Sequence, residues 1–338
     1  MSLVYKKFPI FVKNLYFFLG ALLITSCGGE GASDKPFDTS ADPSPNPITE
    51  PECSETAAGK IINCTVTYNG LNRQFSYYLP SSYSSESEDL PLLISLHGGD
   101  DTSEANISYT GFSDLAEENE FIALFPQGSV AEDKGSTGWF TGTCDTSEVC
   151  DLGYIDFILD SLSSEINLNI DLDRIYATGF SNGAFMAYSL ACNLSERIAG
   201  IAAVSGSMDI GSISGCNPIH TMPVLHIHGD ADLQIPIDGS EYHENVEDVI
   251  NFWKEFNECT KVSILDGSDK NFDGNAWRTN IYSECLNNVN VEYVVLSGFD
   301  HNWPYFQVNS FSNSDIDGSS LIWSFLSRFD INGDREGE

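Results

Sequence analysis

Hydrophobic positions in this chain fall into short runs that alternate between two periods. Residues 61–68 and 74–79 are strand-like, and Asn69-Gly70 between them is a strong hairpin-turn signal. Residues 90–96 (LPLLISL) are continuously apolar, the pattern of a strand covered on both faces. Helical stretches follow at 111–119, 154–166, 183–192, 246–256 and 319–329, with strand-like runs at 121–125, 174–179, 198–204, 224–228 and 291–296. This alternation predicts an α/β fold: a mostly parallel central sheet, helices on both faces and an antiparallel N-terminal hairpin. No repeat or second core interrupts it, so one domain is expected over 54–331, with 332–338 as a short tail.

The N-terminus has a different pattern. Lys6, Lys7 and Lys13 form a basic start, residues 15–24 are apolar, and Ile24-Thr25-Ser26-Cys27 follows. Basic, apolar and small regions in that order read as a secretory signal peptide over 1–26, too short to span a membrane comfortably. Its ending resembles a bacterial lipobox, so Cys27 is the expected site of lipidation and would anchor the chain to a membrane surface. Residues 27–53 are rich in Gly, Ser, Pro and Asp and read as a disordered tether. The expected location is therefore extracytoplasmic, as a membrane-anchored lipoprotein or a secreted protein.

Composition adds to this in two ways. There are nine cysteines, and setting Cys27 aside leaves Cys53, Cys64, Cys144, Cys150, Cys192, Cys216, Cys259 and Cys285. Their connectivity is not determined by sequence, but pairing nearest neighbours closes four short loops (53–64, 144–150, 192–216 and 259–285). No Cys-x-x-Cys pair is present, so disulfides in an oxidising compartment are expected rather than zinc. The formal net charge of −35 repels phosphate and argues against a nucleic-acid partner. A solvated acidic shell explains it, as does adaptation to salt. The segment Asp269-Lys270-Asn271-Phe272-Asp273-Gly274 begins like a calcium loop but has Asn280 where the closing Glu belongs. No metal or other cofactor is expected, and the oligomeric state is left open.

Candidate chemistry begins with Gly179-Phe180-Ser181-Asn182-Gly183, placed where a predicted strand gives way to a helix. A nucleophile elbow needs that setting: the serine sits on a sharp turn, and its flanking positions must be small. An acid and a histidine should follow in that order. The strand at 224–228 leads into Gly229-Asp230-Ala231-Asp232, and the strand at 291–296 leads to His301. His301 would take the serine proton, and an aspartate would hold the imidazole tautomer. His97-Gly98-Gly99 closes an earlier strand, so the Gly99 and Asn182 amides are candidates for an oxyanion hole. Trp139, Trp303 and His97 are candidates for the substrate face. His226 and His228 share one side of their strand and read as packed or hydrogen-bonded. His220 and His243 read as surface residues.

LHGG at 96–99, FPQG at 125–128, DRIYATGFSNGAFMAY at 173–188, HIHGDADLQIP at 226–236 and DHNWP at 300–304 together resemble a known family. It is the polyhydroxybutyrate depolymerase-like and feruloyl esterase-like α/β hydrolases of the carbohydrate esterase family one group. The resemblance covers about residues 60–329. It implies Asp232 rather than Asp230 as the acid, through a His-Gly-x-x-Asp pattern, and His301 with Trp303 through His-x-Trp-Pro. Asp300 stands where that family commonly has glycine. The resemblance implies a serine carboxylesterase acting through an acyl-serine, with feruloyl or acetyl esters on polysaccharides as the expected substrates. Polyhydroxyalkanoate or other polyester oligomers are the alternative, and a non-catalytic surface binding protein is the reading from a different class.

Overall fold

A computed structural model describes residues 48–54, 57–86, 88–131, 136–142, 151–268, 276–305 and 315–335. The signal segment, Cys27, most of the tether, the Cys144–Cys150 pair and the calcium-like segment lie outside the described residues.

Fifteen strands and six α-helices form among the described residues. In chain order they begin with β1 (Glu52–Cys53), β2 (Lys60–Tyr68), β3 (Leu71–Leu79), β4 (Leu90–Leu96), α1 (Ser103–Thr110), α2 (Phe112–Asn119) and β5 (Ile122–Pro126). Then come β6 (Ser129–Ala131), β7 (Ser136–Gly138), α3 (Asp151–Ser164), β8 (Ile170–Phe180), α4 (Asn182–Asn193), β9 (Gly200–Val204) and β10 (Val224–Gly229). The series ends with α5 (Val246–Phe256), β11 (Lys261–Asp266), β12 (Trp277–Ser283), β13 (Val291–Leu296), α6 (Gly318–Leu326), β14 (Phe329–Asp330) and β15 (Gly333–Asp334).

Eleven strands join in the order β1-β2-β3-β5-β4-β8-β9-β10-β13-β12-β11. From β5 to β13 every pairing is parallel, whereas both flanks are antiparallel. Alternate residues of the central strands enter two separate cores. Leu92, Ile94, Ile122, Leu124, Ile201 and Ala203 pack with α3, α4 and α5. Leu93, Ala123, Phe125, Ala202 and Val204 pack with α2 and α6. A sheet covered on both sides explains the continuous apolar runs of β4 and β5.

Three features differ from the expectation. The sheet takes in β1, and the Thr49 N–H donates to Thr67 O at 3.0 Å, so the folded body begins inside the segment expected to be tether. At the other end β15 pairs with β14, so the body also includes the start of the expected tail. Both segments are short and polar; cross-strand pairing holds them, with the Cys53–Cys64 disulfide at the first and the Arg335 N–H donating to Arg328 O at the second. Strands β6, β7, β11 and β12 and helix α1 have no counterpart among the predicted elements. Every residue of β11 is exposed, and α1 buries Asn106 and Thr110 rather than an apolar stripe.

Disulfides join Cys53 to Cys64, Cys192 to Cys216 and Cys259 to Cys285. These three pairs among the described residues indicate a chain that folds in an oxidising compartment.

Candidate active site

Ser181, Asp232 and His301 come from the ends of three strands of the parallel sheet, β8, β10 and β13. Ser181 sits between β8 and α4 with φ 53° and ψ −120°, a backbone that costs an L-residue energy. Its N–H donates to Val204 O, and its own carbonyl accepts from Ala184 N–H, each at 2.9 Å. Glycine makes the turn feasible. A Cβ on Gly179 would stand 2.2 Å from the Gly183 carbonyl oxygen, and one on Gly183 would stand 2.2 Å from that of Leu96. The small flanking residues thus answer to backbone contacts with α4 and β4.

His301 Nε2 lies 2.9 Å from Ser181 Oγ, and Nδ1 lies 2.7 Å from Asp232 Oδ2. A proton on Nδ1 leaves Nε2 as the acceptor toward the serine. Burial pushes the Asp232 carboxyl up, but hydrogen bonds from His228, His301 and the Ile235 N–H outweigh it and hold the group below the ordinary carboxylate range. Its Oδ1 accepts from the Gln234 and Ile235 amides, both at 2.9 Å. The other acid, Asp230, serves the loops instead. Its Oδ1 accepts from Gly298 N–H at 2.6 Å and ties the segments after β10 and β13 together. Asp300 needs no glycine, because the left-handed position is Gly298 at φ 67°.

Gly99 and Asn182 face each other across the nucleophile turn. A Cβ on Gly99 would sit 3.7 Å from Asn182 Cβ, and one on Gly98 would sit 3.6 Å from Ser181 Cβ. As the first residue of α4, Asn182 has an amide with no acceptor within the helix. Among the described residues neither amide donates to a backbone carbonyl in a turn or loop. Two N–H groups beside the serine can stabilise a negative oxygen.

The three residues expected on a substrate face belong instead to the supports beneath it. Trp303 is buried, donates from Nε1 to Ser319 Oγ at 3.1 Å and packs beside Phe180, whose ring lies 4.9 Å from that of His301. Trp139 is buried and donates from Nε1 to the His97 carbonyl at 2.8 Å. The fully buried His97 accepts at Nε2 from the Gly128 N–H and the Gln127 side-chain amide, both at 2.9 Å, and donates from Nδ1 to Gly98 O at 2.7 Å. Burial pulls its pKa down, so it is a neutral hub holding the Gly98-Gly99 loop. Trp and His near a site read alike whether they point toward substrate or beneath it, and here the apolar bodies point inward.

Asp151 carries no motif in the sequence, yet it organises this side. It accepts from Arg73 Nη2 at 2.5 Å, Ser129 Oγ at 3.2 Å and Phe140 N–H at 2.7 Å. Next to Phe140, the Trp139 N–H donates to Asn182 Oδ1 at 2.6 Å. Gln127, which binds both His97 and the Ser103 N–H, belongs to the FPQG stretch. His243, expected at the surface, is buried, while His220 is half-buried and bonded to backbone carbonyls. Among the described residues no group of three or more His, Cys, Asp or Glu could hold a metal.

A serine on a strained strand–helix turn, with acid and histidine arriving later from nearby strand ends of a parallel sheet, defines an α/β hydrolase. Residues 154–268 match the phospholipase/carboxylesterase family model. The chain is 28% identical over 280 residues to a bifunctional acetylxylan esterase/xylanase of Neocallimastix patriciarum, covering 81% of this chain but 36% of that protein. It is 30% identical over 197 residues to a probable feruloyl esterase C of Aspergillus terreus, covering 57% of this chain and 67% of the relative. An acetyl xylan esterase structure from Aspergillus awamori has the same fold, with a TM-score of 0.58 at 15% identity over 78% of this chain and 98% of that one. This chain belongs to the serine carboxylesterase family of α/β hydrolases that includes the feruloyl esterases. It spans only about a third of the bifunctional relative's length.

Proposed function

We propose that this protein hydrolyses carboxylic esters through an acyl-serine at Ser181, with acetyl or feruloyl groups on polysaccharides as the acyl class. The observation that carries the chemistry is the continuous hydrogen-bonded line from Ser181 Oγ through His301 to Asp232. Ser181 Oγ attacks the ester carbonyl carbon as its proton passes to His301 Nε2. The carbonyl oxygen becomes an oxyanion between the Gly99 and Asn182 amides. Collapse breaks the bond to the alcohol, which leaves with the proton from His301. Water then attacks the acyl carbon, gives its proton to His301, and Ser181 recovers a proton as the acid departs. Throughout, Asp232 stabilises the imidazolium without becoming protonated.

The names of the relatives support the acyl class. Anchoring through a lipidated Cys27 belongs to the same proposal, as does work on polymers outside the cell. A panel of acetylated xylan, methyl ferulate and hydroxybutyrate oligomers tests the substrate. The first two should be cleaved with the higher kcat/KM; a clear preference for the oligomers would overturn the polysaccharide assignment.

A further inference from the structure

Behind Asp232 runs a second hydrogen-bonded line that the hydrolytic cycle does not use. His228 Nε2 lies 3.3 Å from Asp232 Oδ2 and 2.8 Å from the Ile235 carbonyl oxygen. His228 Nδ1 lies 3.0 Å from His226 Nε2, and His226 Nδ1 lies 2.7 Å from the Tyr188 hydroxyl. All three side chains are buried: both histidines are fully covered and Tyr188 is 1% exposed. They reach the site from two elements, β10 and α4, and are enclosed by Trp253 of α5 and Tyr293 of β13. Two adjacent histidines in a sealed interior are costly unless every nitrogen has a partner, and here all four do.

The proton on His228 follows from its neighbours. A carbonyl oxygen only accepts, so the nitrogen 2.8 Å from Ile235 O must carry hydrogen. Asp232 Oδ2, the oxygen that holds His301, lies 3.3 Å from the same nitrogen and is the longer, second acceptor for that hydrogen. Burial keeps His226 well below the ordinary imidazole range, with His228 adding to the shift, so His226 is neutral. With hydrogen on His228 Nε2, its Nδ1 is the acceptor, so a neutral His226 donates to it from Nε2 and accepts at Nδ1 from the Tyr188 hydroxyl. In this arrangement His228 Nε2 keeps its hydrogen on the side of Asp232. The opposite tautomer would set a nitrogen lone pair against two oxygens.

We infer that His228 is a positioning residue for catalysis, its Nε2–H fixing the Asp232 oxygen that orients His301, with His226 and Tyr188 holding that tautomer from behind. The inference rests on the hydrolytic reading of the site, and it adds an arm to the Ser–His–Asp line rather than extending it. Asp232 Oδ2 then has a close donor on the reacting histidine and a longer, shared one on a histidine that never meets substrate. Losing the second donor lets the carboxylate rotate about its remaining amide contacts.

Two isosteric variants separate this role from simple core filling. In His228→Gln the side-chain amide nitrogen can occupy the Nε2 position and still donate to Asp232. In His228→Asn the amide reaches only the Nδ1 position, so the His226 contact survives and the Asp232 contact is lost. With p-nitrophenyl acetate, His228→Asn should lower kcat about ten- to hundredfold at unchanged KM, the size of one hydrogen bond to a charged group. His228→Gln should stay within about threefold of wild type. Should the Asn variant fail to fold, Tyr188→Phe, which deletes one oxygen, should lower kcat severalfold at unchanged KM. The proton NMR resonance of the His301–Asp232 bond gives a reading independent of turnover: it should persist in His228→Gln and shift or vanish in His228→Asn. Equal kcat and an unmoved resonance in both His228 variants would overturn the positioning role, as would an unaltered kcat in Tyr188→Phe. A wild type without esterase activity but with the expected resonance pattern would instead refute the hydrolytic reading.

Discussion

Removing the carboxylate of Asp151 should uncouple stability from catalysis in a way that can be measured. The Arg73–Asp151 pair is closed to water, with side chains 4% and 0% exposed. The Arg73 guanidinium lies 3.8 Å over the Tyr154 ring, and its Nε and Nη1 have no hydrogen-bond partner among the described residues. Asp151→Ala therefore leaves a buried cation with little beyond the Gln127 carbonyl and an aromatic face. Breaking one side of such a pair costs about 3–5 kcal/mol. For a domain of this size that is a fall in Tm of roughly 10 °C. Replacing both partners with apolar residues, Arg73→Met with Asp151→Leu, should recover most of the loss, because a buried pair seldom outperforms good apolar packing. It cannot restore the acceptor for Phe140 N–H, so the segment carrying Trp139 stays loose against Asn182. The kcat of the double variant should remain at least about tenfold low, since misplacement of a catalytic group by about 1 Å can cost about a hundredfold. Denaturant unfolding and p-nitrophenyl acetate kinetics on the three proteins decide the matter. A loss under about 1 kcal/mol in Asp151→Ala would refute the buried-charge reasoning. Full recovery of kcat together with stability would refute the link to Asn182.

The elbow glycines and the acid give further tests. Gly183→Ala puts a methyl 2.2 Å from the Leu96 carbonyl oxygen, so β4 and α4 must part; activity should fall at least about a hundredfold even in the protein that folds. Near-normal kcat with unchanged Tm would show that the turn tolerates a Cβ. For Asp232 the folded pKa is depressed, so its contribution to stability is present above the unfolded value of about 4 and is lost as pH falls toward the folded one. The stability difference between wild type and Asp232→Asn should thus shrink as acid is added below about pH 4. A difference that is constant or grows in acid would contradict the bonding around that carboxylate.

Much of this site is legible in the sequence because its constraints are local. The Gly-x-Ser-x-Gly spacing reflects backbone contacts at Gly179 and Gly183, and those contacts admit few other residues. Strands buried on both faces announce themselves through unbroken apolar runs, as β4 and β5 do. Helix α1 does not, since its inner side is held by polar contacts such as Ser95 Oγ to Asn106 Oδ1 at 2.7 Å. Strand β11 is exposed on both faces and has no periodicity to detect. For Trp139, Trp303 and His97 the sequence points to the right neighbourhood but the wrong side of it, because residue type does not say which way a ring points. The Asp151 contacts join residues up to 78 apart in sequence, and no local pattern marks such a pair.

The central claim is that Ser181 alone forms the acyl bond. Treating the protein with a fluorophosphonate and mapping the adduct by peptide mass spectrometry, with p-nitrophenyl acetate turnover followed in parallel, tests it directly. One adduct per chain at Ser181, loss of turnover in step with labelling, and neither label nor turnover above background in Ser181→Ala are expected. An adduct on another residue, or undiminished hydrolysis by Ser181→Ala, would contradict the assignment.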